Sequence, residues 1–179
     1  NLNDLTVCTW QTPADLYRVF GEQFVSKLHL STPDDVVGFN EALGLTKEGW
    51  VPFDEHDGAE RYQILSPVRL QPHGIHQINR WVQKTYREPQ LKTARQPWGL
   101  SLGDEEIVWG DKVILTKNGK RDGWNGKLSQ KIEGEYLANG EIGLAAQGVG
   151  TAKNKFMNIA FAQRPEVRFG FSSSQFSKN

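Results

Sequence analysis

The stretch "YQILSPVRLQPHGIHQINRWVQ", residues 62–83, sets Ser66, Pro67 and a lone Arg69 between an apolar run and a helical one. The spacing predicts a strand over 60–66 and a helix over 74–87, with Arg69 just past the strand's carboxyl end. In open α/β sheets, ligands bind in the crevice outside the strand carboxyl ends. An arginine there suits an anionic ligand, because its planar fork pairs with phosphate oxygens two at a time. The plain alternatives are a surface charge or a brace for a neighbouring helix.

A second set is basic. Lys112, Lys117, Lys120 and Arg121 cluster around "GDKVILTKNGK", 110–120, in a region that also holds Trp98, Trp109, Trp124 and Phe156. Lysines that neutralise phosphates and aromatics that stack on bases are the usual means of holding a single nucleic-acid strand. Ordinary hairpins with solvated lysines are the competing reading. Other constellations carry less. "FDEHD", 53–57, has the look of an Mg²⁺-binding acidic box, but Pro52 interrupts its approach and no G-x-x-x-x-G-K-[ST] phosphate loop exists, so it reads as an acidic solvated loop. His73 and His76 stand three apart, too few ligands for a structural zinc, and no metal site is expected. Cys8 is the only cysteine, which rules out an internal disulfide and points to a reducing compartment.

These groups need elements to position them. "LTVCTW", 5–10, is β-type; Thr12-Pro13 with Asp15 opens a helix whose Leu16, Val19, Phe20, Phe24 and Leu28 share a face. Thr32-Pro33-Asp34-Asp35 repeats the device before a shorter helix that Gly44 can end. The order β-α-α-β-α over the first half predicts an α/β layer with parallel strands. After residue 88 glycine becomes frequent and short strands are expected at 107–109, 111–116, 135–138, 141–147, 155–161 and 167–171, which together predict a small β-barrel. The charge divides likewise: residues 1–60 hold 3 Lys/Arg and 11 Asp/Glu, 3 − 11 = −8, and residues 61–179 hold 18 and 10, 18 − 10 = +8. An acidic part and a part able to face a polyanion follow, as do two merely solvated faces. No run approaches the 18 apolar residues of a membrane helix, and no signal peptide is visible.

In their order and spacing, "ILSPVR" with "GIHQIN", then "GDKVILTKN", "NGEIG" and "FAQRPEVRFGF" resemble the second motor domain of a UvrD/RecD-like superfamily 1 DNA helicase. The resemblance covers roughly residues 60–179, and 1–45 more weakly. It implies a partial RecA-like parallel α/β layer over 1–90, an inserted small SH3-like β-barrel over 91–165, and a return strand with a polar tail over 166–179. It implies Ser66, Pro67 and Arg69 at the nucleotide, with Arg69 acting on phosphate in catalysis. DNA would lie on Lys112, Lys117, Lys120, Arg121 and Trp124. ATP and Mg²⁺ would belong to the full-length cytoplasmic protein, and single-stranded or partly duplex DNA and the remaining motor domain of the same chain would be the partners. The family's late motifs are missing, so the chain is expected to be a piece of a longer protein, without cofactor or ATP turnover by itself. A stand-alone SH3-like adaptor for protein partners and the motor part of a nuclease or defence system are the alternatives.

Overall fold

The computed structural model describes residues 5–53, 58–97, 99–151 and 154–176. The first helix, α1 (Pro13–Leu28), starts as its sequence dictates. Thr12 accepts the Asp15 amide while the Asp15 carboxylate takes the Thr12 hydroxyl at 2.8 Å and the Thr12 amide at 3.1 Å, which hold that carboxyl below its usual range. Helix α2 (Val36–Ala42) is capped by Asp35, not by Thr32 as the sequence pattern predicts. The Thr32 hydroxyl turns to Asp34 instead, and Asp35 accepts from both Ser31 and Gly38. A carboxylate that satisfies two amides outcompetes a hydroxyl that can satisfy one. Three further helices follow: α3 (Gly58–Arg61), α4 (Ile75–Tyr86) and α5 (Glu88–Ala94), the last unforeseen.

Six strands make one antiparallel sheet: β1 (Lys112–Ile114), β2 (Gly119–Asn125), β3 (Gln130–Leu137), β4 (Ile142–Thr151), β5 (Asn154–Phe161) and β6 (Val167–Ser172), in the order β1-β4-β5-β6-β2-β3. No ladder joins the outer strands β1 and β3 among the described residues, yet Val113 and Ile132 reach the same core as Met157, Ile159 and Phe169. The sheet therefore curls around that core. Its other face carries Ile142 and Leu144 into a second core with Phe39, Leu43 and Tyr86 of the helices.

Several expectations are corrected. The segments 5–10 and 60–66 are not strands: no strand precedes Lys112 among the described residues, and every ladder is antiparallel. Residues 58–61 are a helical turn and 62–66 form no ladder among the described residues, and Leu65 is 88% exposed. A strand needs a neighbour, and here none pairs with them. Residues 107–109 yield only a single bridge between Leu102 and Ile107. Strand β2 was not foreseen, because "GKRDGWN" offers two glycines and three charges in place of an apolar alternation. The expected return strand, β6, stays inside the sheet between β5 and β2.

Helices and sheet meet at a polar joint. Arg87, between α4 and α5, is 2% exposed and donates to Asn40 of α2 (2.8 Å), to the Tyr86 carbonyl (2.9 Å) and to the Gly110 carbonyl (2.8 Å). Asp111 accepts from Gln83 of α4 (2.8 Å) and from the Val108 amide (2.9 Å), and lies 4.0 Å from Arg87 Nε. The backbone at 110–111 exchanges bonds with Ala145 of β4, so the joint leads straight into the sheet. Burial outweighs the attraction across 4.0 Å: it raises the Asp111 carboxyl to about 6 and lowers Arg87 to about 10.

That shift has a sign. Asp111 binds its proton more tightly folded than unfolded, so stability from this group is greatest below about pH 4 and declines as pH rises to about 6. The decline is about 3 kcal/mol at most, at roughly 1.4 kcal/mol for each unit. Urea unfolding at pH 4.5, 5.5 and 6.5 should show it in the wild type. An Asp111→Asn variant should lack it, and an equal slope in both proteins contradicts the assignment.

Candidate nucleotide and nucleic-acid contacts

The loop 66–74 is braced from within. The Ser66 hydroxyl lies within hydrogen-bond reach of the Val68 (3.0 Å) and His73 (2.9 Å) carbonyls and accepts the Val68 amide (3.3 Å). The carbonyls of Val68 and Arg69 take the Ile75 and His76 amides, so the start of α4 is closed by its own loop. Gly74 permits this approach, since a Cβ there would lie 2.4 Å from the Arg69 carbonyl. From α1, Tyr17 donates to the Pro72 carbonyl (2.9 Å), and Trp10 packs on His73 with centroids 5.4 Å apart.

Of the three residues expected at a nucleotide, Ser66 is occupied in shaping the loop and Pro67 is exposed without a polar handle. Arg69 differs. Its side chain is exposed and makes no hydrogen bond or ion pair among the described residues. A rigid loop therefore presents an unpaired guanidinium beside a helix whose first amides are already satisfied. Such an arrangement can bind an oxyanion brought to it.

The basic set divides. Lys112 is half-buried and its ammonium donates to the Tyr62 carbonyl, with Glu60 nearby; it fastens β1 to the 62–66 segment. Burial pulls its ammonium below the ordinary range. Arg121 lies over the Phe171 ring, 4.0 Å from its centroid, and donates to the Gly170 carbonyl at 2.7 Å. Both, expected on DNA, are thus engaged with partners inside the chain. Lys117 and Lys120 are exposed, and so is Trp124, at 51%. Trp109 packs on Trp50 at 4.9 Å near the polar joint rather than on a basic rim. Trp98 and the acidic "DEHD" at 54–57 lie outside the described residues.

Tyr136 was missed. It stands directly across from Lys120, 52% exposed, on a strand whose charges hide the alternation. The histidines do not cooperate: His76 faces Glu105 at 3.1 Å while His73 stacks on Trp10, and no cluster of three metal-ligating side chains exists among the described residues. Among the described residues no helix is long and apolar enough to cross a membrane. Comparison with protein-family models, curated proteins and solved structures finds no match to this chain.

The surroundings of Arg69 and Gly74 predict different costs. Arg69→Ala should leave stability within about 0.5 kcal/mol of wild type, as for a surface side chain with no partner. Gly74→Ala should destabilise by roughly 1–3 kcal/mol, because its methyl collides with the Arg69 carbonyl. Urea midpoints at constant m-value decide this; a large loss in Arg69→Ala would make the residue a brace.

Proposed function

We propose that this chain is part of the second motor domain of a UvrD/RecD-like superfamily 1 DNA helicase. One observation carries the reading: two motifs far apart in sequence close on each other. "GDKVILTKN" and "NGEIG" meet through Val113 opposite Gly143, the Leu115 amide on the Glu141 carbonyl (2.9 Å) and the Gly140 amide on the Leu115 carbonyl (2.8 Å). The Asn118 side chain then accepts the Asn139 amide at 2.6 Å, linking the two "N-G" turns. The curled sheet, with both outer strands in one core, fits a small SH3-like barrel.

The first half fits a RecA-like layer that lacks its neighbours. Residues 5–10 and 62–66 join no ladder among the described residues, and Leu5, Val7 and Leu65 are exposed. Strands that would pair with another segment of a larger sheet look like this in isolation. Arg69 then faces a phosphate: ATP bound mainly by the first motor domain, or the DNA backbone beside it. Mg²⁺ and the phosphate loop belong to that other domain, in a cytoplasmic protein, and this chain by itself turns over no ATP.

The test needs both motor domains. There, Arg69→Ala should lower DNA-stimulated ATP hydrolysis roughly a hundredfold, the effect of one lost charge-assisted contact in a water-excluded site. Arg69→Lys should recover little, because lysine keeps the charge and loses the fork. Unchanged turnover in Arg69→Ala, with melting temperature also unchanged, would end the catalytic assignment.

A further inference from the structure

The sheet's outer face is covered only in part: the helices take Ile142 and Leu144, and the Val51 and Pro52 carbonyls and the Phe53 ring sit on Arg168. Along β6, Val167, Phe169 and Phe171 point into the core, so Arg168 and Gly170 point the other way. Register carries this outer face across the neighbouring strands. Trp124 of β2 pairs with Arg168 and with Lys131 of β3; Lys120 pairs with Tyr136; Phe156 of β5 pairs with Ser172. Three aromatic rings on three strands thus share the face, 51%, 52% and 44% exposed for Trp124, Tyr136 and Phe156. Between them Gly170 has no side chain, which keeps the floor low.

Charge selects the partner. Residues 112–176 hold ten Lys/Arg against five Asp/Glu, 10 − 5 = +5, opposite in sign to the first 60 residues. Lys131 is shared by Asp122 (2.8 Å) and Glu133 (2.9 Å), while among the described residues Lys120 and Lys117, at the Tyr136 end, have no acidic partner. Flat π-faces beside lysines suit bases joined by phosphates, since stacking tolerates any base and phosphate supplies the countercharge. We propose that the outer face of β5, β6, β2 and β3 is a stacking platform for single-stranded nucleic acid. Trp124, Tyr136 and Phe156 take bases, and Lys117 and Lys120 take phosphates.

The proposal rests on the motor reading only for preferring nucleic acid to a peptide. Fluorescence anisotropy on this chain, with labelled oligo-dT and an abasic strand of equal length, separates stacking from phosphate binding. Oligo-dT should bind roughly tenfold tighter than the abasic strand, as base–aromatic stacking requires. Trp124→Ala and Tyr136→Ala should each weaken oligo-dT binding about fivefold or more and leave the abasic strand unaffected. Lys120→Ala should weaken both strands alike. Two neutralised phosphates give a log–log salt slope near −1.4 for the wild type. Equal affinity for the two strands, which needs no variant to observe, overturns the platform, and so does tighter binding to a proline-rich peptide than to oligo-dT. A retained oligo-dT preference without DNA-stimulated hydrolysis in the two-domain protein overturns the motor reading alone. Stimulated hydrolysis with equal strand affinities overturns the platform alone.

Discussion

The buried guanidinium of Arg87 is the constraint on which the rest of the molecule depends. Removing an arginine from water costs several kcal/mol, and only well-aimed acceptors offset it. Here they come from three directions: Asn40 of α2, the Tyr86 carbonyl ending α4, and the Gly110 carbonyl leading into β1. Gly110 stands at φ +82, and a Cβ there would lie 2.8 Å from Arg87 Nε. The helices and the sheet cannot be moved apart without stranding that charge. Above the guanidinium, Phe39 and Tyr86 stack at 3.9 Å and the Tyr86 hydroxyl closes on the Pro33 carbonyl, so aromatic packing and the polar joint hold the same two helices, α2 and α4.

This joint divides the sheet's surfaces. Ile142 and Leu144 turn one end of the outer face into the helical core, while Trp124, Tyr136 and Phe156 remain at the other end. The loop bearing Arg69 belongs to the helical side, fixed by Tyr17 and Trp10. A nucleotide contact on one body and a strand contact on the other would therefore be mechanically connected through α4, Arg87 and residues 108–111.

Local chemistry made the helices legible. Thr12-Pro13 with Asp15 caps α1 as those residues require, and α4 (Ile75–Tyr86) lies within the expected 74–87. What failed was long-range. The extended runs 5–10 and 62–66 have strand composition, but pairing belongs to a neighbour and cannot be read from one segment. Strand β2 escaped for the opposite reason: its charges and glycines are tolerated because β3 and β6 flank it. The lysine and arginine cluster was visible, yet its division was not. Lys112 and Arg121 are engaged by the Tyr62 carbonyl and the Phe171 ring, partners 50 residues away in sequence for both. Tyr136 became a candidate only once register set it opposite Lys120.

Native-state hydrogen exchange on Arg87→Met tests the joint most directly. In the wild type, the most protected amides of α4 and of β5 should open together, with a single free energy. In the variant, α4 should open at a cost lower by about 3 kcal/mol, the range for breaking a buried ionic contact, while β5 keeps its protection. Equal losses in α4 and β5, or no loss in either, would contradict Arg87 as the link between helices and sheet.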